Sequence, residues 1–382
     1  MAETGALLDG SGRTLAPMIA WHDRRGAEAA ERFAAELGAD RFRGRAGLAM
    51  GPTPSLFKLA WLREHRPETR RATTWLNVAE LLVDRLGGQR RAERSLGSRT
   101  GWLDQPREAW WDEALAWAGV TASLLPEPVG ATEPAGHVGP SRLGRATGAV
   151  LAIAGHDHLA AAVGAGVVDD GDILDSCGTA EALVRAVRGP LSEAETLAAV
   201  LSRLSVGVHV VPGRQALMAG FLGGIVLQRF LDLLGVPPGD RGPLSAEAVA
   251  APPGAAGLRV VDATAERATL EGIGRDASPA LVWRAAFEAV QRDTAVRLTP
   301  MRTTGSPAQR LVAVGGWARD PAVLAIKEEV LGPFDTSPVQ EAGCRGAALI
   351  AGVAAGLFED LHRLPPPISP ARADAIGVGR PS

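Results

Sequence analysis

The chain has 382 residues, 46% of them hydrophobic and 22% charged, and a formal net charge of −3 at pH 7. These values suit a soluble protein of two domains, each with its own core, and give no electrostatic reason to expect nucleic acid. Cys177 and Cys344 are isolated and lack metal-ligand spacing, the longest small-apolar run is too short to cross a bilayer, and no signal peptide is visible, so a reduced, cytoplasmic setting is expected. Basic residues are almost all arginine, Lys58 and Lys327 being the two lysines.

The pattern opens with a strand at Ala6 to Leu8, a turn at Asp9-Gly10-Ser11-Gly12 and a returning strand from Met18 to Trp21. A helix is predicted from about Arg25 to Leu37, closed by Gly38, and further helices over Ser55–His65, Leu76–Leu86 and Glu108–Ala118. Trp61, Trp75, Trp110, Trp111 and Trp117 fall here and read as helix packing. Residues 124–148 are rich in proline and glycine and mark the passage between domains, placed at 1–145 and 146–382. Beyond them come a strand from Val150 to Ile153 and a strand from Ile173 to Ser176. A hairpin follows over Val206–Val211 and Gln215–Met218. A long helix opens at Ser278-Pro279 and ends at Pro300, a buried strand spans Leu311–Val314, a helix runs from Asp320-Pro321 to Gly332, and a small-residue helix covers Glu341–Leu357.

Three places carry candidate chemistry. The first strand after the linker stops at Gly155 and delivers His156, Asp157 and His158 to a helix mouth, with Asp157 predicted as the N-cap. Gly178-Thr179 turns the next strand. A carboxylate able to take a proton from an alcohol, beside a turn whose amides and hydroxyl can hold phosphate oxygens, suits phosphoryl transfer. A helix cap and a plain turn would look the same. Gly315-Gly316, between a strand and a capped helix, lets backbone approach a ligand, or else serves tight packing. Trp21-His22-Asp23-Arg24-Arg25 offers an aromatic face with directional polar groups, the ingredients of a sugar site, or a solvated turn.

The order and spacing of Gly155-His156-Asp157 and Ser176-Cys177-Gly178-Thr179 resemble the start of the C-terminal domain in FGGY carbohydrate kinases of the xylulokinase and gluconokinase type. The Gly315-Gly316 turn, the Glu341, Gly343, Gly346 block, the Trp-x-Asp-x-Arg segment at Trp21 and the run Ser95 to Asp104 are similar to further family segments. Trp317 stands where the family commonly has a small residue. The resemblance implies an α/β protein of the two-domain actin-like, ribonuclease-H-like ATPase fold. It implies transfer of the γ-phosphoryl group of ATP, with Mg2+, to a sugar or polyol hydroxyl. Asp157 would be the catalytic base, Trp21, Asp23, Arg24, His156 and Asp157 the sugar site, and Gly178, Thr179, Gly315 and Gly316 the nucleotide site. No metal ligand can be named. The expected partner is the small sugar or polyol, with no nucleic acid and no membrane, and homodimerisation is left open.

Family members open with a strand and a turn of the form Asp-x-Gly-Thr-Thr, whereas Met1-Ala2-Glu3-Thr4-Gly5 resembles the stretch that follows it. The expectation is an incomplete N-terminal domain, either because the frame is opened at an internal methionine or because the chain is shortened. A chain of that kind is expected to show little or no kinase activity, or to be a remnant that binds sugar or nucleotide or serves as an interaction module. A rival of another class rests on His156-x-His158 as the start of a metallohydrolase site. It needs further ligands, and after His158 only His209 and His362 remain.

Overall fold

The computed structural model describes residues 2–140, 144–264 and 266–367. In chain order the first part forms β1 (Gly5–Leu8), α1 (Ala27–Phe33), α2 (Ala39–Ala46), α3 (Ser55–His65), β2 (Thr74–Asn77) and α4 (Val78–Arg85). Short elements follow: β3 (Ala92–Glu93), α5 (Arg94–Gly97), β4 (Leu103–Asp104), β5 (Ala109–Trp110), α6 (Asp112–Trp117), β6 (Pro128–Val129), β7 (Pro134–His137) and β8 (Val150–Ala152). The second part begins with α7 (Asp157–Ala165), β9 (Ile173–Cys177), β10 (Glu181–Arg188), α8 (Glu193–Leu201), β11 (Ser205–Val208), β12 (Arg214–Phe221), α9 (Gly223–Leu233) and α10 (Arg241–Ala250). It ends with β13 (Arg259–Val261), β14 (Thr269–Glu271), α11 (Pro279–Thr303), β15 (Leu311–Val314), α12 (Pro321–Leu331), β16 (Asp335–Thr336) and α13 (Ala342–Ala354).

The first part is held by aromatic packing. Phe33 meets Phe42, Phe57, Trp111 and Trp117 edge-on at centroid separations from 4.9 to 5.8 Å, the arrangement that ring quadrupoles favour. Helix α3 is buried on nearly every side from Ser55 to Leu62. Several expectations are corrected here. Residues Met18 to Trp21 are not a strand, and β1 pairs antiparallel with β2, which takes Leu76 and Asn77 from the start of the third predicted helix. Asn77 then caps α4 in a capping box with Glu80. Gly38 does not end the first helix: a π-turn over Ala34–Gly38 carries the chain into α2, which stops at Gly47 in a left-handed conformation. The helix predicted from Glu108 begins at Asp112, because Ala109–Trp110 pairs with β4.

The second part is built on a six-stranded sheet of order β11-β12-β10-β9-β15-β16. Strands β9, β15 and β16 are parallel, and the other neighbours antiparallel. The predicted hairpin is β11–β12, and the Gly315-Gly316 turn follows β15 as expected. Among the described residues strand β8 pairs only with β7 and is half-buried, so the run into Gly155 is an edge hairpin rather than a core strand. Pro300 does not end α11, which continues to Thr303, since a proline in the last turn removes a single internal bond. The two parts meet where the Val206 N–H donates to the Gly47 carbonyl at 2.8 Å.

Helices α7 and α13 cross with their backbones touching. A Cβ on Gly164 would overlap the Ala342 carbonyl, and one on Gly346 the Ala160 carbonyl. This crossing fixes the axis of α7, and so the position of the residues at its N-terminus. Gly346→Ala is therefore expected to cost about 1–3 kcal/mol of unfolding free energy by overpacking. Gly343→Ala, with nothing within 4 Å of its added carbon, should be neutral or slightly stabilising in the same calorimetric comparison. Equal effects of the two changes would contradict the crossing.

Candidate active site

Asp157 occupies the first turn of α7, but as its first residue rather than its cap. His156 takes the cap position, its ring Nδ1 accepting the His158 N–H at 3.3 Å. Asp157 Oδ1 also accepts that N–H, at 2.9 Å, and lies 3.0 Å from His156 Nδ1. The carboxylate remains 69% exposed, free toward the cleft. The neighbouring His156 ring holds its pKa below the usual carboxylate range. Burial opposes this shift. Burial in turn pushes the His158 imidazole down.

A cavity of about 350 Å³ opens in front of this carboxylate, lined by Glu3, Trp21, Arg99, His156, Asp157 and His158 on one side. A neighbouring cavity of about 460 Å³ shares Glu3 and Arg99 with it. Arg99 joins the walls, its Nε donating to Glu3 at 3.0 Å and its Nη1 to Ser205 Oγ at 2.9 Å. Burial works against ionisation of Glu3, but the Arg99 charge prevails and keeps its carboxyl low. Beneath the floor, buried Lys58 donates to the carbonyls of Glu3 at 3.3 Å and Trp21 at 3.1 Å. Burial pushes the Lys58 ammonium down to about 8.

On the other side of the cleft the parallel register pairs Leu311 with Ile173 and Val314 with Ser176, so the Gly178-Thr179 and Gly315-Gly316 turns leave the sheet side by side. Gly315 has φ +101, and a Cβ there would stand 2.6 Å from the Cys177 carbonyl. Only glycine fits. The N-terminus of α9 presses on the same turn: the Ile225 N–H donates to the Thr179 carbonyl at 3.1 Å, and a Cβ on Gly224 would overlap the Gly178 carbonyl. Under the turns Lys327 of α12 is buried against Asp175 at 2.6 Å and Glu181 at 3.2 Å, and donates to Gln291 at 2.9 Å. Burial alone would lower this ammonium, yet the two carboxylates raise it; burial raises the Glu181 carboxyl to about 8. Trp317 packs beside Trp283, with the Arg241 guanidinium 4.7 Å from its ring centroid.

Of the residues expected for a sugar site, Trp21, His156 and Asp157 meet in one cavity. Asp23 and Arg24 do not line it: Asp23 is turned onto Arg25, which donates to it from Nε and Nη2 at 2.7 to 3.1 Å, and Arg24 is exposed. Gly178-Thr179 and Gly315-Gly316, expected for a nucleotide site, lie on neighbouring turns. The metallohydrolase reading finds no support, because His156 and His158 belong to no cluster of three ligands among the described residues. The group that does gather, Asp175, Cys177 and Glu181, already surrounds the Lys327 ammonium. Glu3, Arg99, Gly223-Gly224 and Lys327 were missed. Glycines after a strand end and the rarity of lysine were the available signals.

Residues 1–164 match the N-terminal domain model of the FGGY family of carbohydrate kinases, and residues 241–355 the C-terminal one. The chain is 30% identical over 373 residues to a glycerol kinase of Rhodospirillum centenum, covering 92% of this chain and 73% of that one. It belongs to the FGGY family of carbohydrate kinases. A xylulose kinase of Streptomyces rubiginosus is 37% identical over 163 residues, 42% of this chain and 34% of that enzyme. The fold matches xylulose kinase from Rhodospirillum rubrum with a TM-score of 0.82 at 24% identity, over 97% of this chain and 79% of that one. It also matches Plasmodium falciparum glycerol kinase with ADP, with a TM-score of 0.81 at 18% identity, over 94% and 74%. The expected actin-like, ribonuclease-H-like ATPase architecture is thus the fold of this FGGY kinase chain. Among its described residues no helix is long and apolar enough to cross a membrane.

The buried carboxyls predict a pH dependence. Burial raises Glu80 and Glu93 to about 7 and Glu181 to about 8, above their values in an unfolded chain. Between about 4.5 and these values the folded state binds more protons, so their contribution to stability is full on the acid side and is lost as pH rises through 7 to 8. The unfolding temperature should be lower at pH 8.5 than at pH 6, and Glu80→Gln should reduce that difference. A difference of the opposite sign would contradict the assignment.

Proposed function

We propose that this kinase holds a sugar or polyol against Trp21 and Asp157, and the ATP phosphates against the turns Gly178-Thr179 and Gly315-Gly316. The observation that carries the reading is the exposed carboxylate of Asp157 in the Trp21 cavity, whose wall continues through Ala180, next to the Gly178-Thr179 turn. The acceptor hydroxyl oxygen forms its bond to the γ-phosphorus as the bond to the ADP oxygen breaks, and its proton passes to Asp157. Because the proton leaves late in such a displacement, a carboxylate of depressed pKa serves as the base. Arg99 and Glu3 offer the donor and acceptor that fix further hydroxyls. The division between the two domains is taken at residues 145 and 146.

Mg2+ enters in this reading with the ATP phosphates. It takes oxygen ligands and commonly keeps few protein carboxylates. Of the two carboxylates facing the cleft, Glu3 is engaged by Arg99 and Asp157 is open, so the donor set suits a metal held mainly by phosphate and water. The acceptor is taken from the same class as those of the relatives, a polyol or ketose.

ATP-dependent release of ADP with a panel of polyols and ketoses tests the activity. Asp157→Asn should lower kcat by at least ~10²-fold with little change in ATP affinity, and an unchanged kcat would overturn the base assignment. Trp21→Ala should raise the acceptor KM, whereas Asp23→Ala, whose carboxylate is spent on Arg25, should leave it nearly unaltered. Gly315→Val should weaken ATP binding by titration while sparing the acceptor; equal loss of both ligands would contradict the nucleotide assignment.

A further inference from the structure

Asp157 owes its place to α7, but the loop that leads into it is anchored in the other part of the chain. Gly155 has φ +79, and a Cβ on it would overlap Ser95 Oγ and come within 3.1 Å of Glu93 Oε2. The loop is therefore laid directly on β3 and α5. Ser95 Oγ accepts the His156 N–H at 3.0 Å, and donates its own proton to Glu93 Oε2 at 2.6 Å. Glu93 Oε2 also accepts the Leu96 N–H at 2.9 Å as the cap of α5, and the Glu93 N–H is held by Glu80 Oε1 at 2.9 Å. Glu93 and Ser95 are both buried, so neither group can turn to water.

The direction of the bonds matters. A serine hydroxyl has one proton and can point it either way; the Glu93 carboxyl takes that proton, which leaves a lone pair fixed toward the His156 amide. His156 is the cap of α7 and precedes the base by one residue. We propose that Glu93 and Ser95 are positioning residues for the phosphoryl transfer, which lock the His156 amide and so aim the Asp157 carboxylate at the acceptor hydroxyl. The inference rests on the reading of Asp157 as the base.

A misplacement of about 1 Å at the reacting group costs on the order of 10²-fold in rate. Ser95→Ala should accordingly lower kcat at least tenfold while leaving the ATP KM within twofold. Glu93→Gln, which keeps an acceptor oxygen for the serine proton, should retain most of the turnover, and Glu93→Leu should behave like Ser95→Ala. Ser95→Ala added to Asp157→Asn should cause no further loss, because the serine acts through the carboxylate. Hydrogen exchange gives a readout that does not need activity: Ser95→Ala should speed exchange at the His156 amide at least tenfold, with amides in α11 and β10 unchanged.

Full kcat and unaltered His156 protection in Ser95→Ala would overturn the inference, as would additive losses in the double variant or a uniform rise in exchange across the chain. An undiminished Asp157→Asn would instead sink the assignment of the base itself, so the two failures are told apart. Should Ser95→Ala fail to fold, Glu93→Gln against Glu93→Leu decides by the same exchange measurement.

Discussion

The arrangement depends on a backbone-to-backbone crossing. Helix α7 can lie where it does because Gly164 and Gly346 let α13 approach to contact, and nothing larger than hydrogen fits at either position. From that crossing follows the direction of the α7 N-terminus, and from the direction follows the placement of Asp157 in the cleft. Side chains on α7 face inward from Leu159 to Ala165, which gives the helix a buried body and leaves its N-terminal tip open. The tip is exposed; the means of holding it are not.

Both lysines of the chain serve the cleft from below. Lys58 gathers the carbonyls of Glu3 and Trp21 beside the Trp21 cavity, and Lys327 ties α12 to β9 and β10 beneath the glycine turns. In a chain that otherwise uses arginine, a buried lysine is the compact cation that fits a pocket of two or three oxygens. Removing such a cation leaves buried carboxylates uncompensated, which is costlier than the pair itself is stabilising. Polar groups therefore act here as fasteners between elements distant in sequence.

Much of the second part was legible in the sequence because its signals are local. Ser278-Pro279, Asp320-Pro321 and Gly332 mark helix ends through backbone chemistry, and the Gly315-Gly316 pair marks the turn after β15, whereas the parallel register that sets Gly315 against Cys177 emerges only in the fold. The first part was read less well. Leu76 and Asn77 look like the start of a helix, but they belong to β2, the strand partner of β1, a non-local choice that no window reveals. Gly38 promised a stop and became the end of a π-turn. Asp157 was expected as a cap, whereas the His156 ring accepts the amide and shifts the helix start by one residue. Asp23 and Arg24 carried suitable chemistry, yet the ion pair within the loop turned Asp23 away. Glu3 and Arg99 could be joined to the site only by folding, since 96 residues separate them.

The most direct test of the account is a crystal structure of this chain with a non-hydrolysable ATP analogue and a polyol or ketose that it accepts. The terminal phosphates should lie against the turns Gly178-Thr179 and Gly315-Gly316, and one acceptor hydroxyl within hydrogen-bond distance of the Asp157 carboxylate, in line with the γ-phosphorus. Phosphates bound away from these turns, or an acceptor hydroxyl directed to Glu3 or His158 with Asp157 unengaged, would contradict it.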